Sequence, residues 1–168
     1  MFRATFRPTL HFSRFYSTQA NKCLVLAEHN NNTFNPVTLN AITAATKVSS
    51  EVNVLVLGSK CKGVVDGLSK VKGVNKVLFQ DSESHYRLLP ESVSLLLSQL
   101  QEQHNFSHII APASTNGNNI LPRFAASQDV QPISSVIKIE SPDVFVRPIY
   151  AGTFFHQLFS FKFGISIF

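Results

Sequence analysis

Ser114, Thr115 and Gly117, in the run Pro112-Ala-Ser-Thr-Asn-Gly117, are the residues of this sequence whose types and spacing best suit a chemical task. The run separates an apolar stretch from a helical pattern over 118–128. Small hydroxyl residues and a glycine ahead of a helix leave free backbone N–H groups and the positive end of the helix dipole facing one point, which suits a phosphate at the carboxyl edge of a sheet. Asn118 is the next polar group in line. The same residues also read as a tight strand-to-helix turn with a hydroxyl cap, and both readings stand. No glycine-rich fingerprint follows the first apolar run, where Glu28-His29-Asn-Asn-Asn-Thr33 is found instead, and there is no P-loop. A dinucleotide is therefore not expected at that first turn.

The remaining chemistry-bearing residues are scattered. His29 closes the first apolar run without a nearby carboxylate or thiol and reads as a loop residue. His85, His104 and His108 lack metal-ligand spacing, so no metal site is expected. Cys23 and Cys61 form neither a disulfide framework nor a zinc knuckle, which suits a reducing compartment. Cys61 lies near the start of a helical pattern, where a thiol is activated in some proteins, yet without a partner it reads as buried and inert. No nucleophile elbow occurs, and no catalytic residue is expected. Arg123 follows Pro122, and because proline belongs in the first turn of a helix this pair shifts the expected helix start toward Leu121. Arg123 then meets a carboxylate, either of this domain or of a partner.

The elements that position these residues follow from periodicity. Cys23–Ala27, Glu51–Leu57, Val74–Phe79 and His108–Ala111 are apolar nearly throughout and read as strands. Between them lie three helices. Asn35-Pro36 opens the first, with Val37, Ala41, Ala44, Ala45 and Val48 at helical spacing; Cys61–Lys70 and Leu88–Gln103 give the others, the last with Leu95, Leu96 and Leu100. Val136–Ile139 and Val144–Tyr150 are late strands, and Pro148 puts the second at an edge or a bend. Apolar strands alternating with helices are parallel strands covered on both faces. The expected fold is α/β, a Rossmann-like doubly wound, mainly parallel sheet in a single domain, which suits a length of 168 residues.

The two ends differ from the middle. The formal charge is +5, and Arg3, Arg7 and Arg14 fall in residues 1–20, where there is no Asp or Glu. That segment is also rich in hydroxyl residues and has no long apolar run, so it reads as a mitochondrial transit peptide, with Arg14-Phe-Tyr-Ser17 resembling a matrix-protease site. Without it the charge is nearly balanced, which argues against a nucleic-acid partner. At the other end, residues 154–168 hold six phenylalanines, too short and too interrupted for a membrane span. Phe159–Ile167 alternates apolar and small or polar residues as a strand does.

Taken in order, Cys23-Leu-Val-Leu-Ala-Glu-His29, Pro36-Val-Thr-Leu-Asn-Ala-Ile-Thr-Ala-Ala-Thr46, Leu121-Pro-Arg-Phe-Ala-Ala126, Gln131-Pro-Ile-Ser134 and Arg147-Pro-Ile-Tyr-Ala-Gly152 resemble the N-terminal domain of electron transfer flavoprotein alpha subunits over 22–152. The resemblance implies a fold of the adenine nucleotide alpha hydrolase-like type and a mitochondrial matrix heterodimer with a beta subunit. Such a heterodimer carries electrons through FAD from acyl-CoA and other dehydrogenases to a membrane quinone oxidoreductase. It also implies that the FAD residues lie in a following domain, beyond Gly152, so that this chain alone holds no FAD. The Ser114–Gly117 loop then looks like a relative of the AMP site of the beta subunit, and the resemblance implies that it is empty. The sequence departs from the family at Asn118, often Lys there, at Ser135, often Asp, and after Gly152, where Thr153-Phe-Phe-His-Gln157 replaces an expected Asn and strand. These features divide the chain into a transit peptide (1–20), the family domain (21–152) and a divergent tail (153–168). The tail implies either a truncated product or a short paralogue. A freestanding adenine-nucleotide-binding domain, acting as a sensor or small enzyme through the Ser114 loop, is the alternative function.

Overall fold

A computed structural model describes residues 22–81, 89–160 and 164–167. The expected transit segment and His85 lie outside them. Five strands, β1 (Lys22–Leu26), β2 (Glu51–Gly58), β3 (Lys76–Asp81), β4 (His108–Ala111) and β8 (Gly164–Ile167), form one parallel sheet in the order β3-β2-β1-β4-β8. Helices α1 (Pro36–Val48), α2 (Lys62–Leu68), α3 (Pro90–His104) and α4 (Thr115–Ser127) connect the first four strands and follow the fourth. No helix among the described residues is long and apolar enough to cross a membrane.

The inner strands β1, β2 and β4 are apolar nearly throughout because both faces are covered, whereas the edge strand β3 is largely exposed. Leu24, Leu26, Leu55, Leu57 and Ile109 pack with α3 and α4, through Val93, Leu97, Ile120, Leu121 and Phe124. The alternate residues Cys23, Val25, Val52, Val54, Val56 and Ile110 pack with α1 and α2, through Ala41, Ile42, Ala45, Val64 and Leu68. Successive side chains of a strand point to opposite faces, so two helical layers need two apolar sets from each strand.

Local signals account for the helix starts. The Asn35 side chain accepts from the Val37 N–H at 3.3 Å, with Pro36 at the first helical position. Thr38 rather than Val37 lies on the buried face of α1, because the Thr38 hydroxyl donates to the Glu28 carbonyl at 3.2 Å and accepts the Glu28 N–H at 3.0 Å. In α3 the buried residues are Val93 and Leu97, while Leu95 is exposed. β3 begins at Lys76, after Asn75 has closed the turn by bonding both polar backbone groups of Val52.

The largest departure from the sequence reading is in α4. It begins at Thr115 and passes through Pro122 unbroken, instead of starting near Asn118 or Leu121. Proline costs a helix the bond to the carbonyl four residues back. Here that carbonyl belongs to Asn118, an exposed residue.

The chain then leaves the parallel sheet. β5 (Lys138–Ser141), β6 (Val144–Ile149) and β7 (Phe154–Phe159) make a separate antiparallel sheet in the order β5-β6-β7. Phe145, with Ile133, Val136 and Val48 of α1, forms a third core beneath it. β6 is thus central, yet Pro148 pairs only with Phe155 of β7, beyond the reach of β5. The alternating stretch expected as one strand over Phe159–Ile167 is divided, with β7 ending at Phe159 and β8 beginning at Gly164 in the other sheet.

Candidate functional site

In the order β3-β2-β1-β4 the strands are added to one side of β1 and then, with β4, to the other, and open α/β sheets place ligand sites at the carboxyl edge of such a switch point. Glu28 and His29 follow β1, and Pro112 to Ser114 follow β4, so their ends meet at this point. A cleft of about 410 Å³ opens there, lined by Glu28, His29, Asn30, Thr33, Phe34, Asn35, Pro36 and Asn116.

Ser114 organises one wall. Its Oγ accepts from the Gly117 N–H at 3.1 Å as the cap of α4, and its hydroxyl donates to Oε1 of Glu28. Glu28 is 8% exposed. The negative end of this network therefore comes from the protein itself: a carboxylate stands at the positive end of α4, where a ligand phosphate would otherwise be drawn. On the other wall the N-terminus of α1 is capped by Asn35. Asn30 closes the turn between them, its side-chain oxygen accepting from the Thr33 N–H at 2.8 Å.

The four residues singled out from sequence have different fates. Ser114 is the cap; Thr115, Gly117 and Asn118 lie inside the first turn of α4, not in a loop before it. Gly117 is buried, whereas Thr115 and Asn118 are exposed. Asn116 is the residue of this turn that lines the cleft. Sequence reasoning passed over Glu28 as well. Its signal was an acidic residue immediately after the first strand, at the edge where α/β sites form.

His29 and Cys61 act as fasteners. The Asn31 N–H donates to His29 Nδ1 at 3.1 Å, so Nε2 carries the proton given to the Leu57 carbonyl, also at 3.1 Å. Burial lowers the His29 pKa, and the Leu57 bond pulls it partly back. Burial raises the pKa of the Cys61 thiol, as does Asp81, and its Sγ rests 3.5 Å from Asn31 Oδ1 and from the Ser59 carbonyl. Burial pushes Cys23 up as well. A thiol held protonated is a poor nucleophile. Arg123 pairs with Glu91 of α3 at 2.8 Å, an exposed ion pair within this domain. Among the described residues no group of three or more His, Cys, Asp and Glu could hold a metal ion.

His108 is buried, bonded through Nε2 to the Pro142 carbonyl at 2.9 Å and through Nδ1 to Ser107 Oγ at 3.1 Å. Burial lowers its pKa, while the Pro142 bond and Asp143 raise it. A histidine with a depressed folded pKa resists a proton that the unfolded chain accepts below its ordinary value of about 6.5. Stability is then full above that value and falls as the pH drops toward the folded pKa. The urea midpoint is expected to be lower at pH 5.5 than at pH 7.5. His108→Gln should flatten this dependence, leaving the part due to His29; an unchanged slope would show that His108 does not contribute.

Comparison with known proteins bears on this architecture directly. Residues 23–160 match the family model described as the electron transfer flavoprotein domain, a span that includes β7. Over 129 residues the chain is 46% identical to the electron transfer flavoprotein subunit alpha of Pseudomonas aeruginosa, covering 77% of this chain and 41% of that protein. It is 43% identical over 136 residues to the probable mitochondrial alpha subunit of Caenorhabditis elegans, covering 81% and 41%. Against the mitochondrial alpha subunit of Dictyostelium discoideum it is 43% identical over 149 residues, covering 85% and 41%. The chain spans about two fifths of the length of these curated relatives. With a family match over most of its described residues, the chain belongs to the electron transfer flavoprotein family, on the alpha-subunit side.

Proposed function

We propose that these residues form the N-terminal α/β domain of an electron transfer flavoprotein alpha subunit, serving as a docking scaffold with no catalytic residue of its own. In the complete protein the carrier pairs with a beta subunit in the mitochondrial matrix. It moves electrons through FAD from acyl-CoA and other dehydrogenases to the membrane quinone oxidoreductase. Residues 1–20 are the import signal, 21–152 the scaffold domain and 153–168 a tail, whose first part through residue 160 still falls within the family match. The observation that carries this reading is the identity of 43–46% to alpha subunits over 129 and 136 residues, alongside the family-domain match over 23–160.

FAD does not fit the cleft described above. A dinucleotide needs a long groove with its pyrophosphate at an open helix N-terminus. Both helix starts flanking this cleft are capped by the chain's own side chains, and the Glu28 carboxylate stands beside one of them. The same carboxylate disfavours the alternative of a freestanding adenine-nucleotide module built on Ser114, Thr115, Gly117 and Asn118. FAD is accordingly held by other parts of the heterodimer.

Co-expression with a tagged beta subunit of the family tests the pairing. The chain is expected to co-elute with it in a one-to-one complex on size exclusion. A folded chain that elutes alone at every concentration would refute the scaffold reading.

A further inference from the structure

Resting on the pairing just proposed, we infer that the outer end of the antiparallel sheet is its docking surface, and that Arg147 there receives a carboxylate of the beta subunit. Cross-strand partners share a face, so Arg147 with His156 and Ile149 with Phe154 continue the side of the sheet whose inner end, at Phe145, is packed into the third core. The inner end of this face is closed by the domain. Its outer end is open, with Phe154 60% and Tyr150 77% exposed, their rings edge to face at 6.1 Å.

Arg147 gives the surface its sign. The residue is half-buried, and its Nε is buried with no hydrogen-bond acceptor among the described residues. No carboxylate among the described residues lies within ion-pair distance of it; the ion pairs there use Arg123 and Lys138. A half-buried guanidinium with no ion-pair partner among the described residues offers a planar fork that matches a carboxylate with two parallel bonds. An unpaired arginine on a face whose open end carries exposed Tyr150 and Phe154 has the composition of an interface centre. A second copy of this chain suits it poorly, since symmetric pairing brings two Arg147 side chains together. An anionic membrane is answered better by a cluster of cations than by one half-buried fork. A protein surface presenting Asp or Glu among apolar side chains is the complementary partner.

The test uses the full chain with the beta subunit, measuring affinity for wild type, Arg147→Ala, Arg147→Lys, Tyr150→Ala and, on the far helix α3, Leu95→Ser. Truncating one side of a buried charge pair is expected to weaken binding about 30-fold or more in Arg147→Ala. Arg147→Lys keeps the charge but loses the fork, so a loss of about tenfold is expected, with a salt dependence close to that of wild type. Arg147→Ala should show a shallower salt dependence. Tyr150→Ala, an exposed position whose change leaves the core intact, should weaken binding about tenfold even if Arg147→Ala proves unstable. Leu95→Ser should match wild type. Unchanged affinity in both Arg147→Ala and Tyr150→Ala overturns the inference while leaving the pairing intact. Absence of any complex with the wild-type chain overturns both. Arg147-dependent binding to phosphatidylcholine–phosphatidylserine vesicles, with Arg147-independent binding to the beta subunit, overturns it in favour of a lipid surface.

Discussion

Gly117→Ala is expected to destabilise the domain by about 3 kcal/mol, although alanine is the better helix former. A Cβ at this position would lie 2.1 Å from the Pro112 carbonyl oxygen and 3.3 Å from the Ala111 Cβ. The first of these neighbours is backbone, fixed by the end of β4, so relief requires the start of α4 to move away from the sheet. That movement draws the Ser114 cap from Glu28 and opens the hydrogen-bonded junction between the ends of β1 and β4 and the start of α4. The helix-propensity gain of about 1 kcal/mol is smaller than the strain, which decides the sign. Urea unfolding of both proteins checks it; a variant as stable as wild type would mean that α4 does not need its close seat on β4.

A comparable loss is expected at Phe124, on the opposite ground of missing volume. Phe124 is fully buried in the core formed by β1, β2 and β4 with α3 and α4. Phe124→Ala should lower stability by about 4 kcal/mol through lost burial and the cavity left behind. For a domain of this size that corresponds to roughly 15 °C in the unfolding temperature. Phe106, in the same cluster but 3% exposed and placed between α3 and β4, should be less sensitive. A small loss at Phe124, with the fold retained, would show that the segment around Pro122 collapses readily into the space.

The residues that made the parallel sheet legible are those whose signals are local. Asn35 followed by Pro36 marks α1, and the unbroken apolar run of His108–Ala111 coincides with β4. Where a local signal competed with a distant one, the local rule misled. Pro122 reads as a helix start, yet the Ser114 cap and the seat of Gly117 on Pro112 fix the start of α4 at Thr115, well before Leu121. Leu95 has the right spacing for a buried stripe, but the stripe that meets the sheet runs through Val93 and Leu97. The antiparallel sheet was not legible as such, because its strands are defined by pairing across turns and by the third core around Phe145. At the candidate site the position of Ser114 was readable from its type. Its partner Glu28 lies far away in the sequence, and only the meeting of β1 and β4 brings the two together.

The claim at the centre of this account is that the domain docks a partner while the flavin is held elsewhere. Its most direct test is the visible absorption spectrum of the purified chain after incubation with FAD and desalting, with an intact alpha–beta heterodimer of the family as the positive control. The control should keep its flavin band, and the chain alone is expected to show none. A band corresponding to one FAD per chain would place a complete cofactor site within these residues and contradict the account.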